Sequence, residues 1–150
     1  MLAYPVYLNE EPFKLTEKIG HPVLVFDPAV DGIELYGNVV VTTQSFIQAN
    51  PQQVRALQTA LRASWERAKI DHAFALAEVG AFYKGVSEAV LKQQIEKTVE
   101  FVSYDGQKPG TMDIAPSGRW AKTLIALKEA KVIGDALTFE AIKDHLFSPE

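Results

Sequence analysis

The strongest constraint on the fold is a long helical pattern that begins at Asn50 and Pro51. Asparagine is a favourable N-cap, and proline suits the first helical position because the N–H group that it lacks would have no partner there. Apolar side chains then recur every three or four residues: Val54, Leu57, Leu61, Trp65 and Ala68. This spacing predicts an amphipathic helix that ends near Ile70 and packs one face, including Trp65, into a core.

Further helices are predicted from capping residues and from glycines that end helical patterns. Asp71, Ser87 and Thr138 are each placed to accept a hydrogen bond from the first turn of a helix. Either Pro116 or Ser117 begins another helix. The predicted helical segments are 13–19, which ends at Gly20, 44–50, 71–82, 87–98, 117–134 and 138–146.

Three short runs rich in aromatic and β-branched residues predict β-strands at residues 3–8, 21–28 and 38–43. Strands would therefore come early and helices would dominate the C-terminal half, so we expect an α/β fold. Three short strands with this many helices make a lopsided sheet, which favours a part of a larger fold. The start, MLAYPVYLNEE, has neither a basic region nor a sustained apolar region, so it predicts no signal peptide, and we expect the natural chain to begin earlier.

Composition excludes several classes of function. The net charge of −4 argues against a nucleic-acid partner, because phosphate binding needs a surplus of Lys and Arg. The absence of cysteine excludes disulfides and thiolate metal sites. His21, His72 and His145 lack the spacing of a helical zinc site, and no Ser/His/Asp set has a nucleophile context. We therefore predict no catalytic residue, no metal site and no cofactor.

The stretch YLNEEPFKL contains two adjacent carboxylates where a predicted strand gives way to a predicted helix. One interpretation makes Asn9 the helix N-cap and leaves Glu10 and Glu11 in the first turn, where acids interact favourably with the helix dipole. A second interpretation places Glu11 at a ligand crevice, since helix N-termini at strand ends line such crevices in α/β proteins. The two interpretations are compatible. A catalytic carboxylate pair is disfavoured because adjacent residues rarely converge on one bond.

The ordered series YLNEEP, PVLVFDP, DGIELYGNVVVTTQSFIQANPQQVRALQTALRASWERA and SGRWAKTLIALKEAKVIG resembles the thiamine-pyrimidine, nitrate and sulfonate group of ABC-transporter solute-binding proteins. The resemblance implies a partial type II periplasmic-binding-protein fold, with residues 1–150 as a single unit from the C-terminal portion of a two-lobed protein. Residues 1–43 would then form a lobe-crossing α/β segment, and residues 44–150 a helical return segment. The residues predicted for ligand binding are Glu11, Tyr36, Asn9, Gly32 and Tyr7. Tyr36 is either an aromatic that covers the sheet edge or a stacking platform for a planar ligand, and the strand face that carries Tyr7 is either core or cleft.

The resemblance further implies an extracytoplasmic protein that binds a small nutrient and docks on an ABC-transporter permease, without catalysis. The ligand would be thiamine-pyrimidine-like, or similar to nitrate or a sulfonate. One alternative is a ligand-sensing domain of a membrane-anchored signalling protein. Another is a structural module that forms a homodimer through an exposed sheet edge. Enzymes related to this fold use a pyridoxal-phosphate lysine and a cysteine-rich loop, and this chain has no cysteine.

Overall fold

A computed structural model of the protein describes residues 3–103, 108–109, 115 and 117–143. Helices account for the regular secondary structure in these ranges, together with a short 3-10 turn at Pro28–Asp31. The helices are α1 (Glu11–Ile19), α2 (Gln44–Ala49), α3 (Pro51–Ile70), α4 (His72–Gly80), α5 (Glu88–Val102), α6 (Arg119–Glu129) and α7 (Phe139–Lys143).

The helix boundaries largely follow the capping chemistry of the sequence. The Asp71 carboxylate accepts a hydrogen bond from the Phe74 N–H at 2.9 Å and begins α4, and the Ser87 hydroxyl accepts one from the Val90 N–H at 3.2 Å and begins α5. At the end of α1, Gly20 has a φ of 79°, a left-handed conformation that glycine adopts without steric cost. These three predicted boundaries are confirmed. The predicted end of the last helix lies outside the described residues.

The prediction of an α/β fold with early strands is wrong, because the described residues contain no β-strand and no sheet. The runs at 23–26 and 37–42 make no backbone hydrogen bond within the described part of the chain. Most of their side chains are exposed, for example Phe26 at 78% and Val41 at 82%. β-Branched and aromatic side chains fit the pleated surface of a sheet, so a run rich in them predicts a strand. A strand forms only when a neighbouring strand supplies ladder hydrogen bonds. The predicted homodimer through a sheet edge therefore loses its structural basis.

The chain divides into two compact units, each of which is described separately. Unit 1 comprises residues 1–26 and 58–110. Its core forms where α4 and α1 pack against α5 and is built on one face of α5. The buried hydrophobic residues of this core cluster are Ala68, Ala75, Leu91, Ile95 and Val99, with Trp65, Leu76, Val79 and Val86 packed around them. The prediction that Trp65 packs into a core is confirmed.

Unit 2 comprises residues 27–57 and 111–150. Here α6 packs against α7. The buried residues of α6 are Ala121, Thr123 and Leu124. Residues 51–57 of α3 are assigned to unit 2 and residues 58–70 to unit 1, and the predicted apolar face of this helix is only partly covered. Leu57, at the unit 2 end, remains 52% exposed, whereas Ala68 is buried in the core of unit 1.

Candidate functional site

The turn formed by residues 7–11 lies at the start of α1 and is closed by two hydrogen bonds. The Glu10 N–H donates to the Tyr7 carbonyl at 2.9 Å, and the Tyr7 N–H donates to the Glu11 Oε2 atom at 2.7 Å. Glu11 occupies the first position of α1, and Pro12 follows it. The first-turn carboxylate therefore folds back over the preceding turn while it lies at the positive end of the helix dipole.

Two side chains of α5, Gln94 and Thr98, form hydrogen bonds with this turn. The Asn9 Nδ2 atom donates to the Thr98 hydroxyl at 3.0 Å, and the Gln94 Nε2 atom donates to the Glu10 carbonyl at 3.2 Å. The Thr98 hydroxyl in turn donates to the Gln94 carbonyl at 2.7 Å. Since a threonine hydroxyl carries one hydrogen, it is committed as a donor to Gln94 and must act as an acceptor towards Asn9. This fixes the orientation of the Asn9 amide.

The turn consequently presents hydrogen-bond acceptors. With Nδ2 of Asn9 bonded to Thr98, the Oδ1 atom of Asn9 accepts no hydrogen bond from the described residues. Likewise, Oε2 of Glu11 accepts the hydrogen bond from the Tyr7 N–H, and Oε1 of Glu11 accepts no hydrogen bond from the described residues. Both side chains are half-buried. An amide oxygen and a carboxylate oxygen on one turn are suited to a ligand that donates hydrogen bonds.

Glu10 has a different role from Glu11. Its carboxylate accepts a hydrogen bond from the Lys14 ammonium one turn along α1 and raises the pKa of Lys14 through that bond and through charge attraction. The pair is partly exposed to solvent. Glu10 is thus engaged in a local ion pair, and Glu11 is the carboxylate with a free oxygen.

The predicted N-cap at Asn9 is wrong. The capping position of α1 is Glu10, and no side chain there bonds to the first turn. The Asn9 amide bonds to α5 instead. Local spacing could not indicate this, because Asn9 and Thr98 are 89 positions apart. The sequence predicted Gln94 and Thr98 only as members of the helical segment 87–98, and nothing in that segment indicated a contact with Asn9.

Tyr36 and Gly32 belong to unit 2. The Tyr36 ring is half-buried, its centroid lies 5.1 Å from that of Trp120, and the two ring planes are inclined by 36°. The Arg119 guanidinium lies 5.6 Å from the same ring centroid. Gly32 ends the 3-10 turn with a φ of 81°. Tyr36 therefore already makes aromatic and cation–π contacts with the first turn of α6.

The segment around Tyr36 is also attached to α6 by polar contacts. The Lys122 ammonium lies 3.0 Å from the Glu34 carboxylate, and the Thr123 hydroxyl donates to the Glu34 carbonyl at 3.4 Å. These contacts fix the backbone two residues before Tyr36. Sequence reasoning identified Tyr36 but not its support by α6, which lies more than eighty positions further along the chain.

Across the described ranges, no group of three or more His, Asp or Glu side chains is arranged to hold a metal ion. None of the helices that the structure describes is both long enough and apolar enough to cross a membrane.

Comparison with known families gives one match. Residues 2–72 match the family model described as NMT1/THI5 like. Comparisons with curated proteins and with solved structures gave no match. The matched range contains the turn at residues 7–11, the Gly32 and Tyr36 segment and the start of α3, which also carry the resemblance seen in the sequence. The predicted resemblance is therefore confirmed over residues 2–72, where the chain is similar to the NMT1/THI5-like family of solute-binding proteins.

Proposed function

We propose that the protein binds a small nutrient outside the cytoplasm for uptake by an ABC transporter, and that the nutrient carries an aminopyrimidine or a similar donor-bearing ring. The observation that carries this proposal is the pair of free acceptors on one turn, Oδ1 of Asn9 and Oε1 of Glu11. The match of residues 2–72 to the NMT1/THI5-like family supports solute binding in general. The partner that follows from this role is the transporter's membrane permease.

The acceptor geometry favours one ligand class over the others. An exocyclic amino group or a protonated ring nitrogen donates hydrogen bonds, and a carboxylate partner strengthens such bonds. Nitrate and sulfonates carry negative charge and only accept, so Glu11 would repel them and neither free oxygen would have a hydrogen to receive. Among the ligands that the family resemblance implies, a thiamine-pyrimidine-like molecule therefore fits the turn best.

Tyr7, Gly32 and Tyr36 are the other residues that the sequence assigned to ligand binding; Tyr7 belongs to unit 1, and Gly32 and Tyr36 belong to unit 2. In unit 2, Trp120 and Arg119 hold the half-buried ring of Tyr36, an aromatic group of the kind that stacks on planar rings. Tyr7 contributes through its backbone, whose N–H orients the Glu11 carboxylate. Gly32 ends the turn that precedes the Tyr36 segment.

Isothermal titration calorimetry on the full chain tests the proposal. The probe is 4-amino-2-methylpyrimidine, with nitrate and methanesulfonate as competing ligand classes. We expect saturable binding of the pyrimidine and none of either anion. Binding of nitrate or methanesulfonate without binding of the pyrimidine would overturn the assignment of the ligand, and absence of all binding would overturn the function.

The substitution Glu11→Gln isolates the carboxylate. Glutamine keeps an oxygen that accepts the Tyr7 N–H but removes the charge, so pyrimidine affinity should fall by about ten- to a hundredfold. Glu17→Gln is the matched control, because Glu17 is an exposed carboxylate on the same helix. An equal loss of affinity in the two variants would show that general charge, and not Glu11, attracts the ligand.

A further inference from the structure

Four residues join α5 to the turn at residues 7–11 through three hydrogen bonds. Two of these bonds run from the Gln94 carbonyl to the Thr98 hydroxyl at 2.7 Å, and from that hydroxyl to Nδ2 of Asn9 at 3.0 Å. The Gln94 side chain returns to the turn through its 3.2 Å bond to the Glu10 carbonyl. One helical turn of α5 therefore contacts the candidate site at two points.

Burial makes this arrangement costly to disturb. Gln94 is only 7% exposed and lies on the same face of α5 as the buried Leu91 and Ile95. A polar side chain in such a place is stable only when its groups have partners, and the Glu10 carbonyl is the partner of the Gln94 amide. A leucine or methionine would pack there without needing a partner. The hydrogen bond between Gln94 and the Glu10 carbonyl therefore fixes the position of the turn on α5, which apolar packing alone would not do.

We propose that Gln94 and Thr98 are positioning residues of the ligand site, and that they act by orienting the two free acceptors on the turn. This inference rests on the proposed ligand-binding function. Thr98 holds the Asn9 amide with its oxygen turned away from α5. Gln94 holds the peptide that precedes Glu11, and thereby fixes the start of α1 and the carboxylate at its first position.

The substitutions Thr98→Val and Gln94→Met remove the polar contacts and keep similar shapes. The first readout, which needs no ligand, is the amide hydrogen exchange of Tyr7 and Glu10, whose N–H groups close the turn. We expect faster exchange at both amides in either variant. The second readout is calorimetric affinity for 4-amino-2-methylpyrimidine, which should fall by about tenfold in Thr98→Val. Thr98→Ser keeps the hydroxyl and should restore both values.

Ser87→Ala is the matched control, because it removes the N-cap of the same helix without touching the turn. It should lower the melting temperature while the Tyr7 exchange rate and the affinity remain those of the wild type. If Thr98→Val and Ser87→Ala change exchange and affinity equally, or if Thr98→Val changes neither, the positioning role is overturned. If wild-type protein binds no pyrimidine while Thr98→Val still accelerates the exchange of Tyr7, the proposed ligand function fails and the docking of the turn by α5 stands.

Discussion

The side-chain amide of Asn9 donates a hydrogen bond to the hydroxyl of Thr98 at 3.0 Å across 89 positions of sequence. This contact joins the turn that precedes α1 to the middle of α5, and the bond between Gln94 and the Glu10 carbonyl reinforces it. The residues of the candidate site in unit 1 are consequently held by the same helix that builds the core of the unit. The α5 helix therefore contributes to the core with one set of side chains and to the candidate site with Gln94 and Thr98.

The left-handed conformation at Gly20 predicts a substitution effect that arises from the backbone alone. A Cβ atom added there would meet no atom within 4 Å, but the φ of 79° is unfavourable for alanine. We expect Gly20→Ala to lower the free energy of unfolding by about 1 kcal/mol, measured by urea denaturation. Gly134→Ala is the control, because Gly134 also has open space but no positive φ. An equal loss in both variants would contradict the explanation by strain.

The N-cap of α5 predicts a second effect on stability. Ser87→Ala removes the acceptor of the Val90 N–H, and we expect the free energy of unfolding to fall by about 1 kcal/mol. Ser64→Ala is the control: the Ser64 hydroxyl donates within α3 to the Ala60 carbonyl, a bond that does not stabilise a helix. It should change the free energy by less than about 0.5 kcal/mol. Equal losses of unfolding free energy in the two variants, measured by urea denaturation, would contradict the role of Ser87 as a stabilising N-cap.

The core cluster of unit 1 predicts the largest loss. Leu91 is 5% exposed among Ala68, Ala75, Ile95 and Val99, so Leu91→Ala leaves a cavity between helices. We expect a loss of about 2–5 kcal/mol in the free energy of unfolding. Leu57→Ala removes the same atoms from a side chain that is half exposed, and should cost less than about 1 kcal/mol. Similar losses in the two variants would show that α5 does not form the core.

Acid should weaken the start of α4 through Asp71. The Phe74 N–H lowers the pKa of the Asp71 carboxyl by donating to it, and the Arg67 guanidinium adds to this effect. A pKa below the unfolded value of 3.8 means that the stabilisation is fully present above that pH and is lost as the pH falls through the folded pKa.

The substitution Asp71→Asn tests this linkage, since asparagine can still cap the Phe74 N–H but carries no charge. We expect the wild type to melt at a higher temperature than Asp71→Asn at neutral pH, and the difference to shrink below about pH 4. Thermal melts followed by circular dichroism down to about pH 2 measure it. A difference that stays constant throughout would contradict the contribution of the charge.

Local chemistry in the sequence predicted the helices well because each signal acts within one turn. Pro51 at the first position of α3, the caps Asp71 and Ser87, and the left-handed Gly20 all operate through the backbone of adjacent residues. No distant partner is needed for such bonds, so the sequence alone contains the information.

Contacts between distant segments followed no such local rule. Residues 23–26 and 37–42 have strand composition, but a strand needs a neighbour, and the described residues provide no backbone partner for either. For the same reason Asn9 was predicted as a cap and instead bonds to Thr98. The sequence by itself determined where α3, α4 and α5 begin and which family residues 2–72 resemble, whereas the predicted ends of α5 near residue 98 and of α6 at Gly134 differ from the observed ends at Val102 and Glu129. Only the tertiary structure decided how the Asn9 amide is oriented and where the Glu10 carbonyl is held, because these depend on hydrogen bonds across 89 and 84 positions of the chain.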